Sequence, residues 1–215
     1  MRTRIKICGI TNFDDALHAV KAGADAVGFV FYERSPRHID PESARQIVRH
    51  LPPFVTAVGV FVDEKIETVR ETVQYCFLDL CQFHGKESPE YCEWHHKGVI
   101  KAFRVKDRTF LEEMKRYNVA AYLLDTFRED RFGGTGSPFD WSLAGEATKH
   151  GPVVLAGGLQ PENVGEAVAK VRPYAVDVSS GVEKEPGLKD WQKMKVFVEA
   201  VREADTRIYG MGKGK

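Results

Sequence analysis

At 215 residues and 24.2 kDa, with 43% of positions hydrophobic, the chain can build one sizeable core. Its 31 basic and 31 acidic side chains cancel, which excludes a global field that would draw it to nucleic acid or anionic lipid. No apolar run reaches a membrane span and the N-terminus lacks the apolar core of a secretory signal, so a cytoplasmic protein acting on a small molecule is expected.

The first β-rich run is "IKIC", ending in Cys8. Thr11, with Asp14 three residues on, starts a helix carrying Ala16, Leu17 and Val20, and Gly23 ends it. "AVGFVF" reads as the second strand. Asp40 caps the next helix, with Pro41 in its first turn and Ala44, Ile47, Val48 and Leu51 on one face, before Pro52-Pro53 ends it. After the strand "VTAVGVF", a helical stripe runs through Ile66, Val69, Val73 and Cys76. "LDLCQF" is the fourth strand, and the helix in "SPEYCEWHH" is short and weakly marked. "VIKAF" follows, then Thr109 and Glu112 as a capping box for a helix bearing Leu111 and Met114. "AAYLLD" ends at Asp125. "VVLA" precedes a helix opened by Pro161 that carries Val164, Val168 and Val171. "YAVDVS" is the eighth strand, and a helix from Asp190 turns Trp191, Met194, Val198 and Val201 inward. Residues 206–215, ending "YGMGKGK", are expected to fray, so the domain is placed at residues 1–205.

Alternating βα units imply parallel strands joined by right-handed crossovers. Eight such units in a chain of this length, without GxGxxG after the first strand, favour a single (β/α)8 TIM barrel over an open doubly wound sheet. Chemistry is then expected at the C-terminal ends of the strands. Cys8 ends strand one and Asp125 ends strand six, a thiol facing a carboxyl. Side-chain parity supports this: with Cys8 inside, Ile5 and Ile7 face the helices, and with Asp125 inside, Leu124 does. The same parity puts Asp177 inside, with Val176 and Val178 outside. Lys6 also points inward, where a buried charge pair is favoured over catalysis. Cys76, Cys81 and Cys92 form no CxxC or zinc pattern with Cys8 and are read as reduced core residues.

The glycine-rich turns "AGGL" and "SSGVE" follow the last two strands, where backbone N–H groups can close on an anion, the habitual phosphate site of such barrels. Arg37, in "SPR" beyond strand two, presents a planar fork suited to a second anion such as a carboxylate. The substrate inferred from the residues is a small phosphate ester that bears a carboxylate.

"KICGIT", "GFVFYERSPRHI", "GVFVDE", "CQFHGKE", "LLDT", "GGTGSPFDW", "LAGGLQPENV" and "VDVSSGVEKEPGLKD" together resemble, in order, the motifs of the phosphoribosylanthranilate isomerase family of tryptophan biosynthesis. The resemblance runs from Lys6 to about Val201. It implies an Amadori rearrangement of N-(5-phosphoribosyl)anthranilate to the 1-(2-carboxyphenylamino)-1-deoxyribulose 5-phosphate, an aldose-ketose isomerisation without metal or organic cofactor. Carried over by motif, it implies Cys8 as general base, Asp125 as general acid and Arg37 as holder of the anthranilate carboxylate. It also implies backbone around Gly157, Gly158, Ser180 and Gly181 as the phosphate cradle. The "GGTG" loop from Gly133 to Gly136, Gly134 included, would help cover the site.

The chemistry fits those roles. Opening the furanose needs a proton on the ring oxygen, which a carboxylic acid supplies if its surroundings keep it protonated. The iminium so formed acidifies the adjacent carbon–hydrogen bond, and a thiolate steadied by positive charge can take that proton. Asp177 either accepts a sugar hydroxyl or pairs with an interior cation, and His84 in "QFHG" is a pocket wall in preference to a proton carrier. A monomer or homodimer is expected. Two alternatives stand beside this reading: another phosphosugar barrel isomerase or synthase, and a catalytically silent phosphate-binding barrel. Of the first kind, the histidine-pathway aminoaldose isomerase would be expected to use paired aspartates where this chain has Cys8; a silent barrel would be expected to have lost a proton carrier.

Overall fold

The computed structural model describes residues 2–93, 98–125 and 141–210. Eight parallel strands close into a barrel in sequence order: β1 (Arg4–Cys8), β2 (Ala26–Val30), β3 (Thr56–Phe61), β4 (Leu80–Phe83), β5 (Gly98–Arg104), β6 (Ala121–Asp125), β7 (Val153–Ala156) and β8 (Ala175–Val178). The seam joins β1 to β8, with Lys6 opposite Asp177 and Ile7 opposite Val178. Helices α1 (Phe13–Ala22), α2 (Pro41–Val48), α3 (Ile66–Cys76), α4 (Pro89–Glu93), α5 (Thr109–Met114), α6 (Trp141–Ala147), α7 (Pro161–Val171) and α8 (Trp191–Tyr209) follow the strands in turn.

The period of two along each strand divides the interior into two cores. Ile5, Ile7, Val27, Phe29, Leu124, Leu155, Val176 and Val178 pack outward against the helices. Val58, Ile100, Ala102, Leu123, Val154 and Ala175 fill the barrel axis. Lys6 and Asp177 take two inner positions, and their Nζ–Oδ1 distance of 2.9 Å makes the charge pair that parity calls for. Cys76, Cys81 and Cys92 are buried free thiols, as the sequence reading expects of core residues.

At the N-terminal end of the barrel, aspartates hold the strand starts. Asp25 accepts from the Ile5 N–H at 3.0 Å, Asp79 from Ala57 at 2.8 Å and Asp205 from Thr3 at 2.7 Å. Most helix starts fall where their signals lie: Asp40 accepts from Ser43 N–H, and Asp190 from Gln192 and Lys193.

Several details differ from the sequence reading. The cap of α1 is Asn12, whose Oδ1 accepts from Asp15 N–H at 2.8 Å, while the Thr11 hydroxyl donates to the Gly187 carbonyl. Thr109 is the first residue of α5, and Asp107 takes its N–H and hydroxyl instead of a capping box forming. Helix α8 continues to Tyr209, so residues 206–209 are helical instead of frayed. A short 3₁₀ turn (Ser180–Val182) and a two-stranded hairpin, β9 (Glu183–Glu185) with β10 (Leu188–Lys189), stand between β8 and α8. This hairpin has no counterpart in the sequence reading.

Candidate active site

A cavity of about 360 Å³ opens at the C-terminal end of the barrel, within the range that encloses small ligands. Its walls include Cys8, Arg37, His84, Asp125, Gly157, Gly158, Asp177 and Ser180. The residues expected to act together are therefore brought together. Gly134 and the rest of the "GGTG" loop lie outside the described residues.

Cys8 is the last residue of β1 and faces Gly28 of β2 across the ladder. A Cβ on Gly28 would come 2.7 Å from Sγ and 3.0 Å from Lys6 Nζ, so the absent side chain makes room for the thiol and the ammonium. Burial pushes the Cys8 thiol above its ordinary pKa, and the charge and hydrogen bond of Lys6 pull it back. Burial likewise works against the Lys6 charge, but Asp177 and Cys8 outweigh it and hold the ammonium above its ordinary value. Of the two readings of Asp177, the described contacts carry the cation pair.

Asp125 ends β6, its side chain 21% exposed to the cavity. His84 Nε2 lies 3.4 Å from Asp125 Oδ2, and His84 Nδ1 lies 3.2 Å from Gln82 Nε2. The two ring nitrogens of His84 are flanked by the Gln82 amide on one side and the Asp125 carboxyl on the other. His84 thus forms a wall beside the acid, set in place by Gln82.

Gly157 and Gly158 follow β7 with φ of 82° and 66°, the left-handed region that lets successive N–H groups converge. Ser180 joins them on the cavity wall. Gly181 does not line the cavity; its backbone packs against the Leu159 carbonyl, where a Cβ would collide, so it sets how closely the two loops approach.

Arg37 reaches the rim from the loop after β2. Its Nε and Nη2 donate to Glu183 Oε1 and Oε2 at 2.8 and 2.6 Å.

Three cavity neighbours escape the sequence reading. Glu183 belongs to the unforeseen hairpin. Gln82 Oε1 and Ser179 Oγ are buried without a hydrogen-bond partner among the described residues, and both residues line the cavity. Buried polar atoms are normally satisfied, so these two orphans, one on β4 and one just after β8 across the barrel, mark where a polar ligand belongs. For Gln82 a signal exists in "LCQF": with Cys81 and Phe83 facing the helices, parity sends Gln82 inward.

Residues 5–200 match the family model for N-(5'phosphoribosyl)anthranilate (PRA) isomerase. The chain is 55% identical over 199 residues to N-(5'-phosphoribosyl)anthranilate isomerase of Geobacter metallireducens, covering 93% of this chain and 98% of that one. The crystal structure of phosphoribosyl anthranilate isomerase from Thermotoga maritima superposes with a TM-score of 0.87 at 48% identity, over 94% of this chain and 99% of that chain. A phosphoribosyl anthranilate isomerase in complex with reduced 1-(o-carboxyphenylamino)-1-deoxyribulose 5-phosphate gives 0.85 at 46% identity, over the same shares.

Proposed function

The chain belongs to the N-(5'-phosphoribosyl)anthranilate isomerase family, whose aldose-ketose rearrangement serves tryptophan biosynthesis, and on that premise we propose that Asp125 and Cys8 carry its first two proton transfers. Asp125 delivers a proton to the furanose ring oxygen, the ring C–O bond breaks, and the nitrogen lone pair forms the iminium at C1. Cys8, as thiolate, removes the C2 proton, and the C–H electron pair neutralises the iminium to give an enolamine. Reprotonation at C1 and loss of the C2 hydroxyl proton leave the ketone. These steps invoke no metal or organic cofactor. The supporting observation is that the thiol and the carboxyl, on strands far apart in sequence, line one cavity with the proposed anion sites.

In this reading Arg37 takes the anthranilate carboxylate, the Gly157–Gly158 turn and Ser180 take the phosphate, and Gln82 Oε1 and Ser179 Oγ meet the sugar phosphate's polar groups. Four free cysteines suit the reducing cytoplasm.

Turnover of freshly generated phosphoribosylanthranilate tests the assignment. Cys8→Ser and Asp125→Asn should each lower kcat by about 10²–10⁴-fold while the reduced product analogue still binds. Full activity in Cys8→Ser would show that another group is the base.

A further inference from the structure

We infer that Glu183 is a positioning residue that aims the Arg37 guanidinium at the substrate's carboxylate. The inference rests on the reading of Arg37 as the carboxylate holder. A guanidinium has five N–H donors in a flat fork with two usable edges. Glu183 occupies the Nε–Nη2 edge through both of its oxygens. The Nη1–Nη2 edge donates to nothing among the described residues, and Arg37 lines the cavity. One guanidinium can therefore hold two carboxylates edge by edge, the protein's own on one side and the substrate's on the other.

Glu183 is built to stay put. Its side chain is 5% exposed, and its Oε1 also accepts from Lys189 Nζ, itself fully buried, at 2.7 Å. Burial would raise the Glu183 carboxyl, but hydrogen bonds from Arg37 and Lys189 outweigh it and keep the group ionised. Arg37 and Lys189 both donate to this one carboxylate, which fixes it from two sides. The hairpin that carries Glu183 is tied down in turn: Lys189 N–H donates to Asp15, Thr11 to the Gly187 carbonyl and Lys193 to the Glu183 carbonyl. The arginine's stem is confined as well, because a Cβ on Gly9 would come 2.7 Å from Arg37 Cδ. Arginine is a long, rotamer-rich side chain, and freezing it in the bound geometry before the ligand arrives removes that ordering cost from binding.

The test compares two ligands, the reduced carboxyphenylamino deoxyribulose phosphate and its phenylamino counterpart lacking the carboxylate, titrated against the full-length protein. Glu183→Gln should weaken the carboxylated ligand roughly tenfold, the scale of a lost preorganised contact, and leave the other within about twofold. Arg37→Ala should show the same selectivity more strongly, and the double variant Arg37→Ala/Glu183→Gln should bind no worse than Arg37→Ala alone, because the two act through one contact. Tighter binding by Glu183→Gln would mean that Glu183 merely dilutes the arginine's charge, and unchanged binding would mean it does nothing; either overturns the inference. Equal loss for both ligands would assign Glu183 a structural role and overturn it too. If Arg37→Ala itself spared the carboxylated ligand, the reading of Arg37 would fall first and the inference with it.

Discussion

The thiol at the end of β1 is a base only to the extent that it ionises, and its surroundings set opposing conditions. Burial raises the Cys8 pKa and the Lys6 ammonium opposes that rise. The thiolate is thus a minor species near neutrality, and kcat/KM should climb with pH on the limb governed by Cys8. Lys6→Met removes the opposing charge and should move that limb to higher pH. Coincident profiles for the two proteins would show that Lys6 does not tune the thiol. The variant also strands Asp177 in the barrel, a loss of about 3–5 kcal/mol that urea unfolding would read. The sign of the linkage keeps the two effects apart. The Lys6 pKa is raised in the fold, so its pair stabilises fully below the unfolded value of 10.5 and fades only as pH rises beyond it. The pairing of Lys6 is legible in "IKIC" because alternation alone sends it inward. Glu183 is not legible in the same way. It sits in "SSGVEKEPGLKD", a polar stretch with no alternation or helical period to set one charge apart, and only the folded hairpin reveals that this one is buried against Arg37.

Strand and helix assignments survive almost intact because periodicity and termination signals agree with packing at nearly every element. Two of the departures, at the starts of α1 and α5, occur where two local signals compete. Thr11 and Asn12 are both good capping residues, and each has an aspartate three positions on, in Asp14 and Asp15. Local chemistry does not separate them. The tertiary contact does: the Thr11 hydroxyl is held by Gly187 from the far side of the sequence, leaving Asn12 to close the helix. Asn12→Ala should therefore cost about 1 kcal/mol, seen as a drop of about 2–4 °C in Tm for a chain of this size. An unchanged Tm would mean that the Asn12 side chain does not hold the helix start. At α5 the competitor is Asp107, two residues ahead of Thr109, which captures the free N–H before a capping box can form.

The molecule as a whole separates stability from chemistry along the barrel axis. The cavity, its thiol, its carboxyls and its arginine lie at the C-terminal ends of the strands, whereas Asp25, Asp79 and Asp205 hold strand starts and the N-terminal segment at the opposite end. Asp205 ties the last helix to the start of the chain. It accepts from both the N–H and the hydroxyl of Thr3, next to the seam where β1 meets β8. It is also where the sequence reading ends the domain, yet α8 continues to Tyr209 and packs Ile208 against the core. A chain cut after residue 205 would lose that contact and place the new terminal carboxylate on Asp205 itself, fraying the last turn that holds Thr3. Against a chain ending at residue 210, we expect the shorter one to melt lower by about 2–4 °C for each kcal/mol lost. Isomerase activity below the transition should persist, because among the described residues the cavity lining reaches no further than Ser180, and Glu183 and Lys189, which hold Arg37, also precede the cut. Equal melting temperatures would show that the domain does end at residue 205; lost activity in a folded shorter chain would show that the two ends of the barrel are coupled.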